Sequence, residues 1–437
     1  MREFTSRLGR ALGFALPLMV VWGAKAAFAQ EMDEPPVELS PGDTAWMMTS
    51  TALVLLMTLP GLALFYGGLV RSKNVLSVLM QCLITAGLIG VLWVVVGYSI
   101  AFGGDGAFWG SLGNEFLLQG MGPETLNGTI PAYVFVMFQG MFAIITPALM
   151  LGAFAERMRF SAYVIFIAIW VLVVYCPLAH MVWGGGWIGG MGALDFAGGL
   201  VVHMSSGFSA LAACIIIGKR KGFGQEHMTP HNLPLTVIGA CLLWVGWFGF
   251  NAGSELAADG TAGLAFLTTQ TATATAVLVW VLIEWAHRGN PTVLGAATAA
   301  VAGLVAITPA CAFVTPGGSI LVGAGAAIVC YLAVTVLKPA LGYDDSLDVF
   351  GVHGIGGAWG AIATGLFVAE VTDLGYGGQI WVQLVSIAFT AVFAIIMTAI
   401  ILFVLKAILG DLRVDEEAEH IGIDLSEHSE AAYGPQS

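Results

Sequence analysis

Charged residues are scarce in this chain of 437 residues. Asp, Glu, Lys and Arg together make up 10% of it, against roughly 25% in a soluble globular protein. Hydrophobic residues make up 58%, and the mean hydropathy is +0.88. A soluble protein with so few charges could not cover its surface, and apolar segments of membrane-spanning length recur along the whole sequence. The composition therefore predicts an all-α polytopic membrane protein.

Motifs of several other function classes are also missing. The sequence has no CxxC pair, and its six cysteines all fall inside apolar segments, where cysteine behaves as a small buried hydrophobe. It has no HExxH motif, no paired-aspartate motif, no convincing serine–histidine dyad and no strongly basic patch. We therefore expect no catalytic residues, no metal, no cofactor and no nucleic-acid partner.

Residues 1–29 have the pattern of a secretory signal peptide. A basic start with three arginines precedes an apolar stretch from Ala11 to Val21, and Ala27-Phe28-Ala29 matches a small-residue cleavage site. The apolar stretch is short for a transmembrane helix, which favours cleavage over an additional first span. Residues 30–43 would then form an extracytoplasmic leader.

The region 44–409 contains eleven apolar segments that predict eleven transmembrane helices. All eleven basic residues that follow the leader lie on every second connection or beside the end of the last span. Because Lys and Arg concentrate on the cytoplasmic side, we predict an outside N-terminus and a cytoplasmic C-terminus. The spans cover 44–70, 75–103, 130–155, 160–180, 197–218, 232–250, 261–286, 292–312, 319–338, 353–369 and 379–409.

Residues 410–437 form an acidic cytoplasmic tail with eight acidic residues and one base, Arg413. Its composition fits either a solvated, disordered segment or a regulatory contact with the cytoplasmic loops.

A weak internal repeat relates the first five spans to the next five. Asp195 precedes a Val-His pair that ends at His203 in span five, and Asp348 precedes a similar pair that ends at His353 in span ten. Because five is an odd number, the two copies would be inverted relative to each other, with the substrate path at their interface. Span eleven would be a final long helix outside the repeat.

His203 and His353 are the two histidines that lie well inside spans. A single such residue could simply bond a neighbouring helix, but two at corresponding positions favour a shared site in a narrow path or a proton relay. Asp195 either caps the fifth helix or places a negative charge near a cation site.

Aromatic residues cluster near the outer ends of the spans, in glycine-rich surroundings. They include Trp183, Trp247, Phe250 and Phe142. Aromatic residues at this depth also form interfacial belts, but the glycine flanks favour loops that fold into a mouth. A tryptophan face beside a hydroxyl such as Ser254 makes a cation–π site worth roughly 0.5–2 kcal/mol.

The motifs of residues 44–430 resemble, in order, those of the ammonium transporter (Amt/Rh) family. The resemblance implies a homotrimer of eleven-span protomers with one conduction path in each. It rests on Pro60-Gly61, Ala63 through Arg71, Phe138-Gln139-Gly140, Gly152 through Arg157, His180 through Trp183, Asp195 through His203, Gly246 through Ser254, and Asp348 through Trp359.

The resemblance implies roles for the residues near the outer mouth. Trp183 and Ser254 resemble the ammonium recruitment site, and Phe142 and Phe250 resemble the two stacked rings that close the entrance. Rhesus-type members typically lack the recruitment tryptophan, so the chain is similar to the Amt branch.

The resemblance assigns further roles deeper in the chain. His203 and His353 resemble the paired pore histidines, and Asp195 resembles the buried acid that orders the recruitment site. Gln139 resembles a neighbouring polar residue of the pore, and Trp247 a pore-lining aromatic residue.

The implied function is ammonium uptake across the cytoplasmic membrane of a bacterium. We expect recruitment of ammonium, deprotonation near the phenylalanine gate, and passage of ammonia past the histidines, with separate proton transfer that makes uptake electrogenic. A Rhesus-like neutral gas channel and an ammonium sensor (transceptor) are the alternatives. The resemblance also implies membrane lipid around the chain and a P-II signal protein as a candidate partner on its cytoplasmic face.

Overall fold

Long helices account for most of residues 38–434, the part of the chain that a computed structural model describes. The predicted signal peptide and most of the predicted leader lie outside these residues. Each of the eleven predicted spans coincides with a helical segment. The segments are α1 Pro41–Leu69, α2 Ser72–Phe102, α3 Ala132–Phe154, α4 Phe160–Gly190, α5 Gly199–Ile217, α6 Leu233–Glu255, α7 Gly260–Arg288, α8 Val293–Ile307, α9 Pro316–Leu341, α10 350–367 and α11 Gly375–Leu409.

Nine of these helices, within residues 38–434, are long and apolar enough to cross a membrane. The helix α8 has 15 residues, fewer than the roughly 20 that a span usually needs. The helix α10 begins with five residues of π-helix. The all-helical, membrane-type architecture is therefore confirmed, while the count of eleven spans and their orientation stay predictions.

The connection between α2 and α3 is the place where the described chain leaves helical structure for longest. It contains a two-stranded antiparallel hairpin of β1 Leu126–Asn127 and β2 Ile130–Pro131, in which Leu126 lies opposite Pro131. Asn127 and Glu115 of this connection line a cavity at the end of the bundle that is predicted to face outward, which we name the outer cavity. The connection is therefore part of the wall of that cavity.

Glycines allow α5 and α10 to approach each other backbone to backbone. A Cβ atom at Gly207 of α5 would overlap the backbone nitrogen of Gly354 in α10. A Cβ atom at Gly357 of α10 would lie 2.9 Å from the carbonyl oxygen of Gly199. Small residues at a helix crossing permit such close contact. The first turns of the two helices, which carry the predicted pore histidines, consequently lie side by side.

The acidic tail folds against the start of α2 and the connection after α5, which are predicted to be cytoplasmic, through two short helices, α12 Glu416–Ile421 and α13 Ile423–His428. Glu419 accepts a hydrogen bond from the backbone N–H of Lys221 at 2.6 Å and pairs with Arg413 at 2.6 Å. Asp424 accepts hydrogen bonds from the first backbone N–H groups of α2, where a carboxylate is stabilised by the helix dipole. The alternative of a wholly solvated tail is therefore wrong for the described residues.

A buried ion network joins the connections that follow α1, α3, α5 and α9. The Glu156 carboxylate pairs with Arg71 at 2.6 Å and with Arg220 at 3.3 Å. Asp344 pairs with Arg220 at 2.9 Å and with Arg157 at 3.7 Å. Burial by itself would raise the pKa of both carboxyl groups, but the guanidinium groups and hydrogen bonds outweigh it and hold each pKa below its usual value.

Replacing Glu156 by glutamine should destabilise the fold, because Arg71 and Arg220 lose a charged partner. The free energy of unfolding should fall by about 3–5 kcal/mol near neutral pH. Because the folded-state pKa of Glu156 is lowered, its contribution is present above the unfolded value of about 4.3 and disappears as pH falls through the folded value. The difference in unfolding temperature from the wild type should therefore shrink in acid.

Thermal unfolding in detergent across a pH series would measure this difference. Glu417→Gln is a matched control, since Glu417 is an exposed residue of α12. Equal loss of stability in the two variants would contradict a role for the buried network.

Candidate functional site

The carboxylate of Asp195 organises the start of α5. It accepts backbone hydrogen bonds from Gly198 at 3.0 Å, Gly199 at 2.5 Å, Leu200 at 2.9 Å and Val201 at 3.2 Å. Only 5% of the residue is exposed, so these donors take the place of water around a buried carboxylate. The predicted capping role of Asp195 is confirmed.

An equivalent arrangement starts α10. Asp345 is fully buried and accepts a hydrogen bond from the backbone N–H of Phe350 at 2.8 Å. Eight positions separate Asp345 from His353, as they separate Asp195 from His203. The two helix starts therefore share one local design, an aspartate cap followed by a histidine.

Asp348, which the sequence comparison paired with Asp195, does not have that role. Its carboxylate pairs with Lys338 at 2.5 Å, and its backbone has a positive φ of 56°. Asp345 is the capping residue instead. The pairing of Asp195 with Asp348 was wrong because it relied on the neighbouring Val-His letters and not on the spacing.

Both histidines lie in π-helical turns. His203 belongs to Gly199–Met204 and His353 to Phe350–Gly354. Such turns are rare and are frequent at functional sites. No residue pattern in the sequence analysis indicated them.

The two histidine rings form a buried pair. Their Nδ1 atoms lie 3.2 Å apart and their ring centroids 5.3 Å apart. The exposed fraction is 1% for His203 and 3% for His353. A neutral imidazole carries a hydrogen on one nitrogen and a lone pair on the other, so one ring donates to its partner through Nδ1. The Nε2 atom of His203 has no hydrogen-bond partner in the chain.

Aromatic rings form a continuous column above the histidines. Phe142 and Phe250 stack with their centroids 4.2 Å apart at 25°. The edge of Trp183 meets Phe142 at 6.1 Å and 90°, and Phe250 and Trp247 lie parallel to His203 at 5.9 and 5.3 Å. The column therefore runs from the outer cavity to the histidine pair.

Three cavities lie along this column, and the middle and inner ones share Phe65, Val301 and His353 as lining residues. The outer one has a volume of about 510 Å³, and its lining includes Trp183, Ser254, Phe142, Gln139 and Glu115. The middle one measures only about 10 Å³, and its lining includes Phe250, Trp247, His203 and His353. The inner one measures about 190 Å³, and its lining includes His353, Ser346 and Asp348. The stacked phenylalanines separate the outer cavity from the middle one.

Hydrogen bonds fix the side chains around the outer cavity. The Trp183 indole donates to the carbonyl oxygen of Asp195 at 2.8 Å, and the Ser254 hydroxyl donates to the carbonyl oxygen of Phe250 at 2.8 Å. The Oε1 atom of Gln139 is buried and has no partner in the chain. The structure thus brings the predicted mouth residues together at the outer cavity. The predicted site residues that lie further in line the middle cavity.

The sequence analysis did not identify two residues of the site. Thr308 accepts a hydrogen bond from the Trp247 indole at 2.9 Å, which fixes that ring beside the histidines. Glu115 is the carboxylate at the wall of the outer cavity, and burial raises its pKa. An acid in a long connection gives no sign of where it folds, so the sequence did not indicate that Glu115 lies at this cavity.

The described residues contain no group of three or more His, Cys, Asp or Glu side chains placed to hold a metal ion. The chemistry that this site offers is therefore that of aromatic faces, hydroxyl and amide dipoles, one outer carboxylate and two imidazoles. Such a set can attract a cation at the mouth and accept a proton or a neutral hydrogen-bonding solute further in.

Comparison with known proteins gives a consistent family relationship. The family model described as Ammonium Transporter Family matches residues 45–433. The ammonium transporter of Bacillus subtilis (strain 168) is 50% identical over 403 residues, which cover 90% of this chain and 98% of that protein.

Solved structures agree with this relationship. The crystal structure of Candida albicans Mep2 superposes with a TM-score of 0.80 at 37% identity and covers 87% of each chain. A structure named Sensor Amt Protein superposes with a TM-score of 0.83 at 28% identity, covering 88% of this chain and 98% of that one. With a family model that matches most of its length and a relative at 50% identity, the chain belongs to the ammonium transporter family.

Proposed function

We propose that the chain takes up ammonium and passes it through the three cavities as ammonia. The observation that carries this proposal is the buried histidine pair, joined at 3.2 Å directly beneath the stacked rings of Phe142 and Phe250. A family of transporters supplies the substrate class, and the geometry of these residues supports the mechanism.

Recruitment takes place in the outer cavity. The face of Trp183 and the hydroxyl of Ser254 attract the cation through cation–π and hydrogen-bond contacts, while Asp195 holds the indole through its carbonyl oxygen. Gln139 contributes an unpartnered amide oxygen at the same wall. Attraction of this kind hardly distinguishes ammonium from potassium, because both are monovalent cations of similar size.

Selection takes place at the middle cavity. Its volume of about 10 Å³ holds one water-sized molecule, so a hydrated ion cannot enter intact. Moving an unpaired charge into such surroundings costs several kcal/mol or more. Ammonium can avoid this cost by giving up a proton, which potassium cannot do.

The histidine pair interacts with both products of deprotonation, which are ammonia and the proton. Ammonia exchanges hydrogen bonds with the imidazole nitrogens of His203 and His353 as it passes Trp247. The proton moves separately through the imidazoles, each of which can accept at one nitrogen and release from the other. Net uptake is then electrogenic, since one positive charge crosses for each ammonia.

The proposal includes an architecture of eleven spans with an outside N-terminus, a cytoplasmic C-terminus and an inverted five-helix repeat. The shared spacing of Asp195 to His203 and of Asp345 to His353 supports the repeat. We place the chain in the inner membrane of a bacterium, after removal of residues 1–29. A homotrimer embedded in membrane lipid is the proposed assembly.

The acidic tail is the proposed regulatory element. Its contacts with the first turn of α2 and with the connection after α5 make the cytoplasmic surface dependent on tail docking. A P-II signal protein is the candidate partner at this surface. A sensor function is the second candidate for the whole chain, because one similar solved structure is named Sensor Amt Protein.

Replacing both histidines by alanine should abolish selective ammonium-evoked current, since the pore would lose its proton carriers and its polar lining. Currents from proteoliposomes containing His203→Ala/His353→Ala would be compared with those from the wild type. His287→Ala is a matched control, because His287 bonds Tyr331 on α9 away from the three cavities. Unchanged current and unchanged potassium exclusion in the double variant would rule out the proposed histidine role.

An ammonium pulse on solid-supported membranes should produce a transient current carried by positive charge. A potassium pulse should produce none, because potassium has no proton to release. Ammonium uptake without charge movement would instead favour a neutral, Rhesus-like channel. Liposomes without protein provide the baseline for both pulses.

Replacing Glu115 by glutamine should raise the half-saturating ammonium concentration severalfold at low ionic strength, because a cavity-wall carboxylate concentrates cations near the mouth. The effect should shrink at high salt, where charges are screened. It should also shrink in acid, where the raised pKa of Glu115 leaves the wild-type side chain neutral. Glu124→Gln is the control, since Glu124 is an exposed acid of the same connection, and equal effects in both variants would contradict the proposal.

A further inference from the structure

A glutamine of helix α11 forms its side-chain hydrogen bonds with groups outside the backbone of its own helix. Gln383 of α11 is fully buried. Its Oε1 atom accepts the backbone N–H of Leu194 at 2.8 Å, and its Nε2 atom donates to the carbonyl oxygen of the same residue at 2.8 Å. The second Nε2 hydrogen goes to the carbonyl oxygen of Ala361 at 3.0 Å. One amide side chain therefore clamps the backbone of Leu194, because it bonds both the N–H and the carbonyl oxygen of that residue.

The clamped residue adjoins the residue that orders the mouth. Leu194 directly precedes Asp195, whose carbonyl oxygen receives the Trp183 indole and whose carboxylate caps α5. A shift of the backbone at Leu194 would consequently move both the acceptor of the indole and the cap of the helix that carries His203.

The third contact of the glutamine extends this frame to the other pore helix. Ala361 belongs to α10, the helix that carries His353, so the amide of Gln383 joins α11, α10 and the segment before α5. A second buried glutamine strengthens the arrangement. Gln379 donates to the carbonyl oxygen of Gly192 at 3.0 Å and contacts Gln383 at 3.4 Å.

A neighbouring buried polar residue of α11 makes a different kind of contact. Ser386 lies almost one turn further along and is also fully buried, but its hydroxyl bonds the carbonyl oxygen of Val382 in the same helix. Polar side chains inside membrane helices are costly and tend to be functional. Gln383 directs its hydrogen bonds to the segment before α5 and to α10, and not to the backbone of its own helix.

We infer that Gln383 is a positioning residue for ammonium recruitment, because its amide clamps Leu194 and thereby holds Asp195 and the Trp183 indole in place at the outer cavity. The inference rests on the proposed function, and it adds a residue of α11 that touches neither cavity nor substrate. It predicts that Gln383 affects the capture of ammonium and does not affect the passage of ammonia through the pore.

The first test is Gln383→Met, which keeps the length and volume of the side chain and removes its hydrogen bonds to Leu194, Ala361 and Gln379. In proteoliposomes, KM for ammonium should rise about tenfold, the effect of losing ~1.4 kcal/mol of binding, while the maximal rate changes little. Ser386→Ala is the matched control and should keep the wild-type KM. A wild-type KM in Gln383→Met, with a lowered unfolding temperature, would overturn the inference and leave a purely structural role.

The second test is Gln383→Glu, which remains informative if the methionine variant does not fold. A protonated glutamic acid can accept from the Leu194 N–H and donate to its carbonyl oxygen, as the glutamine does, whereas a carboxylate can only accept. The ratio of its KM to the wild-type KM should therefore approach one in acid and rise as pH increases. A ratio that is constant with pH would overturn the inference.

Failure of the proposed function would look different from failure of this inference. If the wild type produced no ammonium transport at all, the function itself would be wrong. If the wild type transported ammonium and neither Gln383 variant changed KM relative to it, only the positioning role would be wrong.

Discussion

The cost of placing a charge between membrane helices is the constraint on which the rest of this structure depends. The middle cavity is lined by apolar side chains and two histidines, with no carboxylate, ammonium or guanidinium group. Asp195 comes nearest to breaking this rule, and four backbone N–H groups surround its carboxylate. Arginines and acids pair with each other in the connections between helices instead, where Glu156 and Asp344 contact their guanidinium partners.

The same constraint explains how the two pore helices begin. A helix that starts inside the bundle has free N–H groups that water cannot reach, so a buried aspartate must satisfy them. Asp195 and Asp345 do so, and each stands eight sequence positions before its histidine, His203 or His353. The histidines then face each other because glycines let α5 and α10 touch. The aspartate caps, their equal sequence spacing from the histidines and the glycine contact between α5 and α10 together bring the two imidazoles side by side.

Hydropathy and the scarcity of charged residues were enough to predict the helical membrane architecture. The isolated positions of His203 and His353 in apolar spans were enough to mark them as a pair. Residues whose partners lie far away in sequence were not predictable in this way. Glu115 reaches the mouth through an irregular connection, and Gln383 reads as one polar residue in a long apolar helix. Asp345 was overlooked because Asp348 stands closer to the Val-His letters, although the spacing identifies Asp345.

The sizes of the cavities limit how a cation could cross. An outer cavity of about 510 Å³ leaves room for an ammonium ion with part of its water, whereas the middle one of about 10 Å³ leaves room for one small molecule without any. A cation–π contact of roughly 0.5–2 kcal/mol cannot offset the several kcal/mol that an unpaired charge would cost there. Loss of the proton removes that cost at its source. A middle cavity without fixed charge therefore discriminates by whether the ion can become neutral, and not by how well it fits.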